Sequence, residues 1–303
     1  MQILKKAIKN ILIPRNKWLV FTYHQASPAF DPQLNGKYIW NSLDHFEKEM
    51  IFLKENFKII PFSEGVRKLK EGRLRGTTVS ITFDDGDISL SNYIVPVLKK
   101  YQIPAVFFIN TAYLSGEQKG YWFNIYNYLL NGNPDQRKLI TDAIRQVYAN
   151  LRNTADVDYY RQNIRRIEEL ARFTDDDLNF YICHDFLEKL DPGLFTIGLH
   201  GHEHQRFSMM PAEWQKQNLR LNLEMLSGFN AFQKILAVPF GKPHDWNPDT
   251  VNICKSLSLE FVSSHGGYNY QDSASIKRIP ADGLVINNLV SKLPVKIKPD
   301  YLL

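Results

Sequence analysis

The sequence predicts an α/β fold of alternating strands and helices, read as one domain over residues 1–303 and broken by a helical insertion over residues 116–190. Two observations carry this. Short β-branched and apolar runs are followed repeatedly by segments with apolar residues at three-and-four spacing, the pattern of a strand feeding a helix. From about residue 116 the alternation stops, and a strand-poor run rich in charge and aromatic rings begins, too long for a plain loop. The length of 303 residues with 44% hydrophobic side chains suits one large domain or two small ones.

Residues 17–23 read as the first strand, which delivers His24 at its end ahead of a Gln-Ala-Ser-Pro loop. Ser42 caps a helix with an apolar stripe of Leu43, Phe46, Met50 and Leu53. Residues 57–61 form a short strand, and Ser63 is expected to cap a helix reaching Lys70. Residues 78–83 form a buried strand that runs into Asp84-Asp85-Gly86, followed by a helix over residues 88–101 and a strand over residues 103–110. The insertion reads as helices over residues 122–130, 136–151, 157–172, 175–181 and 185–190. Its Tyr121, Trp122, Phe123, Tyr126 and Tyr128 are core for those helices or, alternatively, a sugar-binding wall. A strand over residues 195–199 leads into His200-Gly-His-Glu-His204. A helix over residues 211–226 and a strand over residues 234–241 follow, the strand ending in a Pro-aromatic-Gly turn. The chain closes with a helix at 247–257, strands at 260–264 and 277–280, and a helix around 287–293.

Two clusters in this pattern carry chemistry. Side chains alternate along a strand, so Asp84 and Asp85 leave its end in different directions, and one can bind a metal while the other stays free. Gly86 then lets the backbone turn sharply. His200 and His204, four apart on a turn, project to one side and can grip a single metal, while His202 faces elsewhere. One carboxylate and two histidines make a three-ligand set with room for water. Such a metal acidifies its water and polarises a carbonyl, and the spare carboxylate can serve as general base. The reaction class is metal-assisted hydrolysis of an amide or ester.

The bulk properties exclude other classes. The 37 basic and 32 acidic residues leave a net charge of +5 that is spread along the chain, too diffuse for a nucleic-acid partner. Cys183 and Cys254 fall in segments that read as helical and offer neither a metal-ligand spacing nor a disulfide framework. At the N-terminus Lys5, Lys6 and Lys9 interrupt Ile3, Leu4, Ile8, Ile11 and Leu12, which leaves no signal-peptide core. That stretch reads as an amphipathic helix on the domain's flank or, alternatively, on an anionic membrane surface. The expected location is cytoplasmic, with the inner membrane surface as the alternative.

Thr82-Phe-Asp-Asp-Gly86, His200-Gly-His-Glu-His204 and Pro239-Phe-Gly241, in this order, resemble the first three motifs of the NodB-type polysaccharide deacetylases, carbohydrate esterase family four. The resemblance implies a distorted (β/α) barrel and a metal-dependent deacetylase of N- or O-acetylated sugars. It implies Asp84 as general base, and Asp85, His200 and His204 as ligands of Zn2+ or of Co2+, Ni2+ or Fe2+. It also implies that the backbone N–H of Phe240, in the turn closed by Gly241, faces substrate and stabilises an oxyanion. Some positions depart from the pattern. Ala237 stands where the family carries an arginine that pairs with the catalytic aspartate, and Gly201 where it carries serine or threonine. Phe261-Val-Ser-Ser-His-Gly-Gly lacks the fourth motif's Asp-Trp, and no Leu-His near the C-terminus supplies the fifth. Tyr23-His24 is similar to the branch with a Tyr-His near its start, which makes His24 the expected acid for the leaving amine, with His265 in reserve.

The expected reaction is removal of an acetyl group from a sugar or glycan. One alternative is a deformylase or deacylase of a lipid-linked amino sugar at the inner membrane. Another is a non-catalytic carbohydrate-binding protein with this fold, for which the missing arginine and missing motifs argue.

Overall fold

The computed structural model of the chain describes residues 16–36, 38–131, 156–171, 180–262, 267–270 and 276–282. The helices expected over residues 1–13, 136–151 and 287–293, and His265, lie outside these residues, as does most of the one at 175–181.

In chain order the first elements are β1 (Lys17–Tyr23), β2 (Gln25–Ser27), β3 (Trp40–Ser42), α1 (Leu43–Asn56), β4 (Lys58–Ile59), α2 (Phe62–Lys70) and β5 (Thr77–Phe83). A π-helical turn over Leu90–Ile94 leads into α3 (Val95–Tyr101), β6 (Ala105–Ile109) and α4 (Thr111–Leu114). Then come α5 (Trp122–Asn131), α6 (Val157–Ala171), α7 (His184–Glu188), β7 (Phe195–Leu199) and a 3-10 turn over Phe207–Met209. The chain continues with α8 (Ala212–Leu226), β8 (Phe232–Ala237), α9 (Pro248–Ser256), β9 (Glu260–Val262) and β10 (Ile279–Pro280).

The main sheet is wholly parallel among the described strands and runs β10-β1-β5-β6-β7-β8-β9, with β4 pairing the start of β5. An isolated parallel bridge, Val262 to Ile276, joins the far edge to the segment just ahead of β10. The sheet therefore curls back on itself as a distorted (β/α) barrel. Because the strands are parallel, their C-terminal ends share one rim. That rim receives His24 from β1, Asp84 and Asp85 from β5, His200 from β7 and Phe240 beyond β8.

The strands read as nearly continuous apolar runs because both faces are covered. One face, with Leu19, Phe21, Tyr23, Ile81, Phe83 and Phe107, packs under the helices. The other, with Trp18, Val20, Val106, Phe108, Ile235 and Ala237, fills the barrel interior. Register aligns Tyr23 with Phe83 and Phe83 with Phe107. Their ring centroids lie 5.6 Å apart at each step, a spacing favourable for aromatic pairs. Gly198 of β7 makes room inside the barrel: a Cβ there would come within 2.7 Å of the Phe108 ring and 3.0 Å of the Ile235 carbonyl oxygen.

Several boundaries differ from the sequence expectation. Pro61, not Ser63, occupies the N-cap of α2, and Ser63 lies inside the helix. The helix after Asp85 begins as a π turn, and Pro96, which has no N–H to give to Asn92, stands at the change to α-helix. Cys183 is an extended residue capping α7 rather than part of a helix, and Tyr181 forms a bridge with Asp87. Strand β8 starts two residues early and stops at Ala237, because Pro239 has no N–H for a ladder.

Candidate active site

The end of β5 shapes the site. Asp84 still belongs to the sheet, its N–H donating to the Tyr23 carbonyl at 3.0 Å. Asp85 and Gly86 then take left-handed backbone, with φ of 75° and 81°. This reverses the chain and sends the two carboxylates to different partners. Asp85 Oδ1 lies 3.3 Å from His200 Nε2 and 3.2 Å from His204 Nε2. His200 comes from the end of β7, and His204 is placed by its own left-handed backbone, φ 47°. Among the described residues these three offer ligand atoms that all lie within 4.8 Å of one another.

The chemistry of this trio fits a cation. His200 Nδ1 lies 2.8 Å from the Ala237 carbonyl oxygen. Since a carbonyl only accepts, Nδ1 carries a hydrogen, and Nε2 is the nitrogen turned toward Asp85 and able to serve as a ligand. Asp85 Oδ1, which faces Nε2 of both rings, is buried without a hydrogen-bond partner. Lone pairs converging in a buried place repel unless a positive charge joins them.

Asp84 is free of that trio. Its Oδ1 and Oδ2 accept hydrogen bonds of 2.6 and 2.8 Å from Arg278 Nη1 and Nη2, a buried bidentate pair. Arg278 is fully buried inside the barrel, also bonds Thr22 and Thr82 through Nη1, and lies over the Phe108 ring. Burial pushes the Asp84 carboxyl up, and the Arg278 guanidinium overrides this, leaving it below its ordinary value. Asp84 Oδ2 faces the centre, 3.9 Å from His200 Nε2 and 4.0 Å from His24 Nε2.

His24 is held by Asp282. The His24 N–H donates to Asp282 Oδ1 at 2.9 Å, and the ring Nδ1 lies 2.6 Å from Oδ2. Asn41 Nδ2 donates to the same carboxylate at 3.2 Å. Burial alone would lower the imidazole pKa, but the Asp282 carboxylate raises it to about 10. That contact favours the protonated ring, with Nε2 4.0 Å from Asp84 Oδ2.

Phe240, left-handed with φ 62°, and Gly241, with φ 71°, form the turn after β8, where Gly241 N–H donates to the Pro239 carbonyl at 2.7 Å. The Phe240 ring stands edge-on to His204 at 4.9 Å. Tyr121 flanks His204 from the other segment at 4.6 Å. Phe240 and His204 line, with His24, Asp84 and Asp85, a cleft of about 620 Å³ to which Tyr121, Phe123, Asn124, Tyr38 and Ile39 also contribute. The inserted aromatics therefore divide between roles. Tyr121 and Phe123 line the cleft, whereas Tyr128 packs against Phe180 at 6.1 Å.

All the sequence-expected site residues within the described chain meet at this rim. Two neighbours were missed, Arg278 and Asp282. Arg278 stands where the arginine missing at Ala237 would act, and Ala237 instead gives its carbonyl to His200. The signal was available in Lys277-Arg-Ile-Pro-Ala-Asp, a strand whose end carries an arginine and an aspartate four apart.

The family model for polysaccharide deacetylase matches residues 71–151 of the chain. A curated relative, the poly-beta-1,6-N-acetyl-D-glucosamine N-deacetylase of Staphylococcus aureus, is 29% identical over 119 residues, 36% of this chain and 41% of the relative. The match thus spans about two fifths of the relative's length. Among solved structures, the deacetylase PplD of Streptococcus pyogenes superposes with a TM-score of 0.60 at 17% identity, covering 92% of this chain and 99% of that one. A de-N-acetylase from Aggregatibacter actinomycetemcomitans gives 0.62 at 14% identity, covering 92% and 100%. IcaB from Ammonifex degensii gives 0.53 at 17% identity, covering 88% and 93%. At these identities the structural likeness is one of fold.

Proposed function

From a polysaccharide deacetylase signature in the sequence and the fold of solved deacetylases, we propose that this chain is a metal-dependent hydrolase that removes an acetyl group from an N-acetylated, or O-acetylated, sugar or glycan. The observation that carries the reading is the convergence of Asp85, His200 and His204 beside a separately held Asp84 and His24.

Asp85, His200 and His204 would hold a divalent cation, Zn2+ first among them, with Co2+, Ni2+ or Fe2+ as chemically equivalent candidates. Such an ion supplies Lewis acidity toward the acyl carbonyl and acidifies the attacking water. Asp84 accepts the proton of that water at Oδ2, and Arg278 keeps the carboxylate ionised and fixed in direction. His24 donates the proton at Nε2 to the leaving nitrogen, while Asp282 retains the proton at Nδ1. The Phe240 N–H is the proposed donor to the oxygen on which charge develops. Tyr121 and Phe123 offer aromatic faces to a sugar ring. A non-catalytic carbohydrate-binding role was suggested by the missing arginine and by the missing fourth and fifth motifs; Arg278 on Asp84 removes the first of these reasons.

Elemental analysis of the purified chain beside Asp85→Ala and His200→Ala tests the metal site. The proposal expects close to one ion per chain in the parent and little in either variant. A parent that stays empty after reconstitution with zinc contradicts it.

A further inference from the structure

The run His200-Gly-His-Glu-His204 contains two buried polar side chains outside the ligand set, His202 and Glu203. His202 is held between Thr111 Oγ1, 2.9 Å from its Nδ1, and Glu117, 3.2 Å from its Nε2, and its N–H donates to Asn218 at 2.8 Å. Glu203 is 2% exposed, and its charged partner is Arg161 of α6, whose Nε donates to Oε1 at 2.7 Å. Gln118 Nε2 adds a longer contact of 3.4 Å to the same oxygen. The Arg161 guanidinium also lies 4.5 Å from the ring centroid of Trp214 on α8. Trp214 Nε1 in turn donates to Gln205 Oε1 at 3.2 Å. The neighbours of His204 on both sides are thus pinned through one stacked pair, Arg161 on Trp214.

This hold has a purpose that local backbone preference does not serve. His204 is a side-chain-bearing residue with φ at 47°, a conformation that persists only where the surroundings impose it. Glu203 stands one peptide bond away, and a buried carboxylate stripped of its cation must turn toward water. If α6 withdrew, Glu203 would move and carry His204 out of line with Asp85 and His200.

We infer that Arg161 is a positioning residue for the metal-binding loop, so that docking of α6 on that loop and zinc binding by Asp85, His200 and His204 favour each other. The inference rests on the proposed metal site. Coupling of this kind is reciprocal: whatever zinc affinity gains from a docked helix, helix docking gains from zinc. The segment between β6 and β7 then has two tasks, since it also lines the cleft through Tyr121 and Phe123.

The test is the zinc affinity of the full chain at fixed pH, by competition with a chromophoric chelator, for the parent, Arg161→Ala, Arg161→Lys, Glu203→Gln and the Arg161→Ala/Glu203→Gln pair. Loss of partners that orient ligands typically costs about 10- to 100-fold in metal affinity, and Arg161→Ala is expected in that range. Arg161→Lys should recover part of the loss, and the double variant should be little worse than the weaker single one. Hydrogen exchange over residues 157–171 should slow when zinc is added to the parent and change little in Arg161→Ala. The Arg161 side chain is 35% exposed, and Glu203→Gln keeps shape and volume, so the comparison does not depend on one variant folding. Parent-like zinc affinity in both Arg161→Ala and Glu203→Gln overturns the inference alone. A parent that takes up no zinc overturns the metal site and the inference together.

Discussion

Arg278 and Asp84 stand 194 positions apart in the sequence and meet in the barrel interior through two parallel hydrogen bonds of 2.6 and 2.8 Å. The pair explains how a carboxylate buried to 3% exposure stays ionised, at the place where the proposed reaction needs a base. Replacing Arg278 with Met keeps much of the volume and removes the charge. Asp84 would then be buried without its cation, a change that costs about 3–5 kcal/mol in comparable pairs. We expect Arg278→Met to lower the melting temperature and to lower kcat at least about a hundredfold, with Arg278→Lys intermediate. Thermal unfolding and steady-state kinetics on the same preparations check both.

The same pair marks where sequence reading stopped. Asp84 with Asp85, and His200 with His204, were legible because each pair lies within a few residues and at a strand end, where local rules apply. The succession of strands and helices was foreshadowed by the alternation of apolar runs with helical stripes. Arg278 and Asp282 were not legible as partners, because only the parallel pairing of β10 with β1 brings them beside Asp84 and His24. Nothing near Ala237 says that the cation of that position arrives from another strand. Ser63 failed as a cap for a smaller reason: Pro61 ahead of it already fixes the entry of α2.

The His24–Asp282 contact predicts a pH dependence. A general acid works while protonated, so activity is lost as pH rises through the His24 pKa. Asp282 raises that pKa, to about 10 in the metal-free chain, and a cation on the neighbouring ligands opposes it. Asp282→Asn removes the charge, keeps the shape, and should move the alkaline limb of the kcat profile to lower pH by about one unit or more. A limb that stays where the parent has it would exclude His24 as the acid.

Glu49, behind Tyr23 and Asp282, supplies a stability prediction. It sits on α1 among Phe46, Met50 and Leu53, 1% exposed, and burial lifts its carboxyl to about 8. The group is neutral in the folded chain at pH values where the unfolded chain ionises it. Its cost to folding is therefore absent below about pH 4.5, grows as pH rises, and is complete once pH passes about 8. Glu49→Gln mimics the neutral form, so the variant should gain melting temperature relative to the parent between pH 5 and pH 9. An advantage equal at both pH values would count against a buried, proton-retaining Glu49.

Acetate release from N-acetylated oligosaccharides by the zinc-loaded chain, set beside Asp84→Asn at matched zinc content, tests the central claim most directly. The account predicts release by the parent and a loss of about a thousandfold or more in Asp84→Asn, with its zinc still bound. Release at the parent's rate by Asp84→Asn, or none by a parent carrying its full zinc, would contradict it.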